Sequence, residues 1–228
     1  MRFSTKPSRR ELLLGCIYLT LYLTVLPWLI PLLVHLLLPQ LNAAQVNLFF
    51  LGVDFIAVAV ILRKFLRCSL ADALNSPGPT LWYAILGYLG TQTLGNMLWN
   101  LIVRIDPEFI NVNTASINAM AVENFGIIAL CTVVLAPVTE ELLFRGLLFR
   151  GFYDRSPLAA YLISMTMFSM IHITGYIGFY PPKQLILCFL QYLPAGYCLN
   201  FAYRRSGTIA APILAHMMIN LAALSAMR

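Results

Sequence analysis

The sequence predicts an all-α fold, a polytopic transmembrane helical bundle of about seven spans. Sixty percent of the 228 residues are apolar, only 11% are charged, and the mean hydropathy is +0.80. A soluble domain usually carries about a quarter charged residues, so this chain has too few of them to cover a water-facing surface. The composition excludes a soluble enzyme, a disordered chain and, despite the net charge of +6, a nucleic-acid binder.

Seven apolar stretches are long enough to cross a bilayer, which takes about 20 mainly apolar residues. They are Leu12–Leu38, Val46–Leu62, Thr80–Val103, Val122–Tyr153, Pro157–Tyr180, Leu185–Tyr203 and Gly207–Met227. The first stretch is longer than a signal-peptide core and is expected to remain as a span. The fourth is too long for one straight crossing and contains Pro137, so a kink or an amphipathic extension is expected. Residues 1–228 are predicted to form a single integral-membrane domain.

The basic residues predict the orientation of these spans. With the N-terminus inside, twelve of the fifteen lysines and arginines fall on the cytoplasmic side, and the exceptions are Arg104, Lys183 and Arg228. This bias predicts a multi-pass cell-membrane protein with a cytoplasmic N-terminus. The segment Arg63–Asn75 is expected to be a surface loop or a short amphipathic helix that touches anionic lipid. Arg150 is expected to reach the cytoplasmic headgroups.

Several ionisable residues lie inside the predicted spans, where each costs at least about 2.5–3.5 kcal/mol at a helix centre. They are His35, Asp54, Glu140, Glu141, Arg145, His172 and His216. Counted from the predicted cytoplasmic ends, Glu140, His172 and His216 lie about 20, 22 and 14 Å deep at about 1.5 Å per residue. Three separate helices are therefore expected to bring polar groups to a similar depth.

The first polar motif is Glu140-Glu141-Leu-Leu-Phe-Arg145. On an α-helix, residues four apart lie about 40° apart around the axis, so Glu141 is expected to pair with Arg145. Glu140 lies about 140° from Arg145 and is left available for chemistry.

The other two motifs are Phe168-Ser-Met-Ile-His172 and His216-Met-Met-Ile-Asn220. With Glu140 they suggest a site that activates water: Glu140 and His172 would take a proton from water that attacks a carbonyl group. His216 and Asn220 would donate hydrogen bonds to the developing oxyanion, and His172 or protonated Glu140 would protonate the leaving amine.

Each of these groups alone is more often an interhelical hydrogen bond than a catalyst, but their convergence favours a function. Outside the motifs, Asp54 and His35 are expected to make interhelical polar contacts with Arg145 or with each other; a proton path is the alternative. A polar stripe on the third span is expected to face the interior of the bundle. It consists of Gln92, Asn96 and Asn100.

The three motifs, complete and in this order, resemble those of the CAAX proteases and bacteriocin-processing enzymes, also called the Abi or CPBP intramembrane proteases. The resemblance covers residues 122–223, the expected protease core. It implies a helical endopeptidase whose chemistry is carried by Glu140, His172, His216 and Asn220. Glu141, Arg145 and Phe168 would support them.

The resemblance also implies the partners: a lipidated CAAX-type protein or a leader-bearing peptide as substrate, within membrane lipids and without nucleic acid. A bacterial plasma membrane is the expected location, and no motif indicates an oligomeric state. No HExxH zinc motif is present, so glutamate chemistry without a cofactor is favoured over a cross-helix zinc site. Two alternatives remain open: a non-catalytic immunity or scaffold protein, and a proton-coupled carrier.

Overall fold

The computed structural model describes Phe3 and residues 5–226. This described part forms ten helices and contains no β-strand. The helices are α1 (Arg9–Thr24), α2 (Leu26–Leu37), α3 (Ala43–Ile61), α4 (Arg63–Asn75), α5 (Pro77–Ile105), α6 (Val112–Glu123), α7 (Phe125–Tyr153), α8 (Pro157–Thr174), α9 (Pro182–Ser206) and α10 (Ala210–Ser225). The all-α membrane bundle is therefore confirmed. Arg2, Met227 and Arg228, which the sequence analysis used, lie outside the described residues.

Every predicted span corresponds to helical structure, but a count of seven spans is not confirmed. Four helices are long and apolar enough to cross a membrane, namely α3, α7, α8 and α9, and the bent pair of α1 and α2 would make a fifth. α10 is apolar but has only 16 residues. α5 has 29 residues and is not among the four.

The first predicted span is not one continuous helix, because α1 and α2 meet at an angle of 66°. The break falls at Val25, just before Pro27 in the first turn of α2. Proline has no backbone N–H, and its ring clashes with the carbonyl four residues earlier, here that of Leu23. α1 therefore ends before the proline, and α2 restarts in a new direction.

Local capping explains where other helices begin. Ser8 and Glu11 form a capping box at the start of α1, and Asn42 and Gln45 form another at the start of α3. Each box pairs backbone N–H groups that the first helical turn leaves free. The segment after α3, expected to be a loop or an amphipathic helix, is the helix α4.

α7 lies at the centre of the bundle and passes Pro137 without a sharp kink. Two stretches of it are π-helical, Cys131–Leu135 and Leu142–Phe149, on either side of an α-helical turn. Pro137 cannot donate to the carbonyl of Val133, and a wider winding is one way in which a helix absorbs such a loss. All eight residues of the second stretch are buried.

α5 and α10 pack along α9, and α8 packs between α9 and α7. The polar stripe of α5 does not face the bundle as expected, since Gln92 is half-buried and Asn96 and Asn100 are exposed. The inward face of α5 carries small residues instead, among them Ala84, Gly87 and Thr91. Small side chains allow close approach between helices, and this requirement determines which face of α5 is turned inward.

Candidate active site

The two glutamates lie side by side on the α-helical turn Ala136–Glu141 of α7, between the π-helical stretches. Both are buried: 7% of Glu140 is exposed and none of Glu141. A carboxyl group in such a place requires partners or a function, because burying it without them is costly. Glu140 and Glu141 differ in the partners they have.

Glu141 is held by two donors on different helices. Arg145 Nη1 donates to Glu141 Oε1 at 2.9 Å, the i,i+4 pair expected from the spacing. His216 Nδ1, from α10, lies 2.8 Å from the same oxygen. A carboxylate oxygen only accepts, so the hydrogen of this bond belongs to His216 Nδ1. Glu141 thereby fixes the orientation of an imidazole as well as that of the guanidinium.

Arg145 is completely buried and connects α7 to α8 and α9. Its Nε donates to Asn200 Oδ1 at 3.1 Å and its Nη2 to the carbonyl of Gly196 at 3.1 Å. The guanidinium carbon also lies 4.5 Å from the centre of the Phe168 ring. A planar guanidinium with five donors suits such a set of acceptors, whereas a lysine ammonium does not.

Asn200 is a buried residue of the site that the sequence analysis missed. Its Oδ1 accepts from Arg145 and, at 2.9 Å, from the hydroxyl of Ser164. Ser164 also lies 2.9 Å from the carbonyl of Phe144. The available signal was a carboxamide within the predicted span Leu185–Tyr203, to which the cost argument used for the charged residues also applies.

His172 is positioned by its own helix and by a tyrosine. Its Nδ1 lies 2.7 Å from the carbonyl oxygen of Phe168, so Nδ1 carries the hydrogen of this bond. The ring stacks on Tyr192 at a centroid distance of 3.9 Å. Tyr192, also missed in the sequence, is fixed in turn by Asn113, which donates to its hydroxyl at 3.0 Å. In a neutral His172, the lone pair is therefore on Nε2.

Phe168 brings the two imidazoles to one place. Its ring centre lies 4.8 Å from that of His172 and 5.7 Å from that of His216. The two histidines are on different helices, α8 and α10, and both contact this buried ring. Phe168, the aromatic residue of the second motif, thus lies in contact with both imidazoles and sets their separation.

Asn220 is engaged differently from the expectation. Its Nδ2 donates to the carbonyl of Thr132 at 2.7 Å. Thr132 belongs to the first π-helical stretch of α7, so this bond attaches α10 to α7. One of the two amide hydrogens of Asn220 is used here, and the second is left.

Glu140 forms no hydrogen bond to a described residue, and its Oε2 is buried and unpartnered. The carboxyl lies within electrostatic range of His216, Glu141 and Arg145. The residues before and after it along the chain also have a buried oxygen without a partner, Thr139 Oγ1 and Glu141 Oε2. Buried polar atoms are normally paired with protein or with ordered water.

Asp54 and His35 do not contact each other or Arg145. Asp54 is fully buried and accepts a short hydrogen bond from the hydroxyl of Tyr18. His35 is exposed and lines a groove of about 430 Å³ between α2 and α3. Arg150 is buried rather than directed to headgroups, and it donates to the carbonyl of Thr5 at 3.1 Å. Among the described residues, no three His, Cys, Asp or Glu side chains are placed to hold a metal ion.

Comparison with known proteins identifies the same half of the chain. The family model "Type II CAAX prenyl endopeptidase Rce1-like" matches residues 123–222. The protein named "Putative membrane peptidase YdiL" of Bacillus subtilis (strain 168) is 27% identical over 177 residues, which cover 74% of this chain and 67% of YdiL. No solved structure matches significantly.

Two further relatives come from Lactococcus lactis subsp. lactis (strain IL1403). The UPF0177 protein YbdI is 27% identical over 144 residues, 62% of this chain and 71% of YbdI. The UPF0177 protein YbdJ is 36% identical over 88 residues, 39% of this chain and 34% of YbdJ. The family match encloses all three motifs, so the part of the chain that carries them is similar to the type II CAAX prenyl endopeptidases, and the chain as a whole is similar to YdiL.

Proposed function

We propose that this protein is an intramembrane endopeptidase that uses Glu140 to activate water. Its substrate is a lipidated, CAAX-type protein or a leader-bearing peptide, cleaved near its terminus or near the membrane. The observation that carries the proposal is the contrast between neighbours: Glu141 accepts hydrogen bonds from Arg145 and His216, whereas buried Glu140 accepts none from a described residue.

Glu140 is the base because Glu141 is already occupied. One oxygen of Glu141 accepts from both Arg145 and His216, so its lone pairs are engaged by these donors and are not free to bind water. A water molecule held at the unpartnered Glu140 Oε2 can transfer its proton there while its oxygen attacks the substrate carbonyl.

His172 assists Glu140 in activating the attacking water. Because its Nδ1 is bound to the carbonyl of Phe168, the lone pair on Nε2 can accept a hydrogen bond from the attacking water. After attack, the proton taken up by Glu140 or by His172 passes to the leaving amine, so that the C–N bond breaks and a free carboxylate and an amine result.

His216 and Asn220 stabilise the oxyanion. Because Nδ1 of His216 is bound to Glu141, its other ring nitrogen, Nε2, is directed away from Glu141 and can donate to the oxyanion whenever the imidazole carries both hydrogens. Asn220 supplies its second amide hydrogen, the first being bound to Thr132. Donors fixed in advance by other bonds lose little reorganisation energy when the charge develops.

We propose that this chemistry needs no metal ion. His216, one of the two histidines that a cross-helix His-His-Glu zinc site would use, is bonded to Glu141, which also binds the guanidinium of Arg145. A second cation would be repelled there and would have to displace the existing pairs. Activity that survives chelation, in protein shown by metal analysis to be metal-free, supports this; activity lost on chelation and restored by zinc contradicts it.

The location follows from the same family and from the charge distribution. We infer a multi-pass protein of the cell membrane, with the N-terminus in the cytoplasm, because the basic residues favour that side. Cysteine labelling from outside intact cells tests this: a single cysteine near Lys183, on the opposite side, is expected to react, and one near Arg155 is not.

The deciding experiment compares Glu140→Gln with Glu141→Gln in cells and in proteoliposomes. Terminal peptidomics of cells with and without the protein identifies the processed peptide, and cleavage of that peptide is then measured alongside membrane abundance. Glu140→Gln is expected to abolish cleavage at normal abundance, because Glu140 has no bond to lose. Glu141→Gln is expected to lower abundance as well.

Unchanged processing by Glu140→Gln would refute the proposal. It would favour the non-catalytic immunity or scaffold role instead. Proton-coupled transport of a peptide would be recognised by substrate that crosses the proteoliposome membrane uncleaved.

A further inference from the structure

A cavity of about 400 Å³ lies where α1 begins, α3 ends and α4 begins. Its polar side is lined by Arg10, Arg63 and Lys64, all exposed, and its apolar side includes Leu14 and Val60. None of these residues belongs to the catalytic motifs. The cavity is therefore separate from the proposed active site on α7, α8 and α10.

Glu11 builds this cavity by joining two helix starts. Its Oε1 accepts from the backbone N–H groups of Lys64 at 3.1 Å and Phe65 at 2.9 Å. Its Oε2 accepts from the backbone N–H and the hydroxyl of Ser8, at 2.8 and 2.7 Å. These four bonds hold the first turns of α1 and α4 together and use the acceptor capacity of the only acidic group in the cavity lining.

The cavity is strongly electropositive. Three cationic side chains face one carboxylate, which leaves a net formal charge of +2 at the lining. In the part of the chain that the structure describes, none of the three cations forms an ion pair. An anion is the ligand that this excess of positive charge favours.

The other wall of the cavity continues into an apolar surface. Leu14 and Val60 are 39% and 59% exposed, and beyond them on the same two helices Ile17 and Ile56 are 52% and 64% exposed. This apolar surface extends along α1 and α3 away from the charged side chains. A free phosphate would use only the charged part of the site, whereas a lipid would use both parts.

We propose that this cavity binds one anionic phospholipid. Its phosphate is held by Arg10, Arg63 and Lys64, and one acyl chain lies along Leu14 and Val60 between α1 and α3. The net charge of the lining selects an anionic headgroup such as phosphatidylglycerol over zwitterionic phosphatidylcholine. The bound lipid would join the start of α1 to α4 on the side of the bundle that carries no catalytic motif.

Native mass spectrometry of the full chain in detergent tests this proposal. Phosphatidylglycerol and phosphatidylcholine are titrated onto the wild type and onto the double variant Arg63→Gln/Lys64→Gln. The wild type is expected to retain one phosphatidylglycerol preferentially, and the double variant to bind it roughly tenfold more weakly or worse. The backbone N–H groups that bond Glu11 remain in this variant, so its thermal melting curve is expected to match the wild type.

Arg155→Gln is the matched control, an exposed arginine outside the cavity. If it weakens lipid binding as much as the double variant does, the attraction is a general effect of surface charge and the proposal is wrong. Equal retention of both lipids also overturns it. The last alternative is a site for phosphate alone, and it is tested with soluble glycerophosphoglycerol, which has the headgroup without acyl chains. If this compound raises the melting temperature as much as the lipid does, the cavity is a phosphate site and the lipid proposal is wrong.

Discussion

Replacing Arg145 with methionine is the sharpest test of how the site is supported. The guanidinium has no exposed surface and bonds Glu141, Asn200 and the carbonyl of Gly196. Methionine fills a similar volume but cannot donate to any of these acceptors. Arg145→Met therefore leaves a buried carboxylate without its main counter-ion and a buried carbonyl without its donor.

The expected loss of stability is large. Breaking a buried ion pair by removing one partner costs about 3–5 kcal/mol, and an unsatisfied buried carbonyl costs about 1–3 kcal/mol. Relaxation of the surroundings and the remaining hydrogen bond from His216 to Glu141 offset part of this sum, so we expect a loss of about 4 kcal/mol. Against a typical total of about 5–15 kcal/mol, such a variant is expected to reach the membrane at strongly reduced abundance.

A double-mutant cycle separates the charge effect from simple loss of packing. Glu141→Gln leaves Arg145 buried without its carboxylate and is expected to be destabilising by a similar amount. The double variant Arg145→Met/Glu141→Gln contains neither charge, so its loss is expected to be smaller than the sum by at least about 2 kcal/mol.

The assay is the reversible unfolding of each purified variant in bicelles, measured by titration with denaturant. Arg155→Met serves as the control, since Arg155 is exposed, and a change within about 0.5 kcal/mol is expected. Losses for Arg145→Met and Glu141→Gln that add up in the double variant would show that the pair is not coupled. The reasoning about the buried network would then be wrong.

Two more predictions concern packing and pH. Gly196→Ala is expected to destabilise the protein by about 1–3 kcal/mol in the same unfolding assay, because a Cβ at this position would lie 2.9 Å from the Cβ and 3.0 Å from the Cα of Met165. Asp154→Asn is expected to lower the melting temperature by about 1–3 °C near neutral pH. The hydrogen bond from Lys6, with that from Arg150, holds the pKa of Asp154 below its usual 3.8.

The sign of the pH effect follows from that lowered pKa. The stabilisation from Asp154 is complete above its ordinary pKa and is lost as the pH falls through the lower pKa of the folded state. The wild type and Asp154→Asn are therefore expected to converge in melting temperature as the pH falls below the lowered pKa of Asp154, and a difference that persists in the acid limit contradicts the assignment. For the packing prediction, Gly52→Ala is the control, because a Cβ added at Gly52 would meet no other atom within 4 Å; equal losses in the two variants would show that crowding is not the cause.

The sequence predicted the helical bundle and the pairing of Glu141 with Arg145, because both depend on local periodicity. Apolar length defines a span wherever it occurs along the chain, and the i,i+4 spacing places two side chains together on any helix. The pair is present at 2.9 Å. The assignments that rest on chemistry, above all Glu140 as the base, remain predictions.

The bend after α1 and the winding of α7 were harder to predict, because they depend on what surrounds each proline. Pro27 coincides with a sharp break, whereas Pro137 lies in a helix that stays continuous. The difference is tertiary: α7 is enclosed by other helices that can pair freed backbone groups, as Asn220 does for Thr132. A pattern of residues along one chain does not contain those neighbours.

The two polar sets that were misjudged illustrate the same limit. Asn200, which was overlooked, is fully buried, while Asn96 and Asn100, expected inside, are exposed. Spacing shows that residues share a face of a helix but not which face turns inward. The small residues of α5 determine which of its faces turns inward. The buried position of Asn200 is explained by the guanidinium of Arg145, which donates to it.

The π-helical stretch Leu142–Phe149 has a consequence for how this protein can change during evolution. A π-turn contains one more residue than an α-turn, so deletion of one residue within the stretch can be absorbed by a return to α-helical winding that keeps both flanks in register. A further deletion cannot be absorbed in this way and would rotate the two flanks relative to each other by about 100°. Homologues that keep the buried bonds of Arg145 are thus expected to tolerate a gap of one residue here more readily than a longer one.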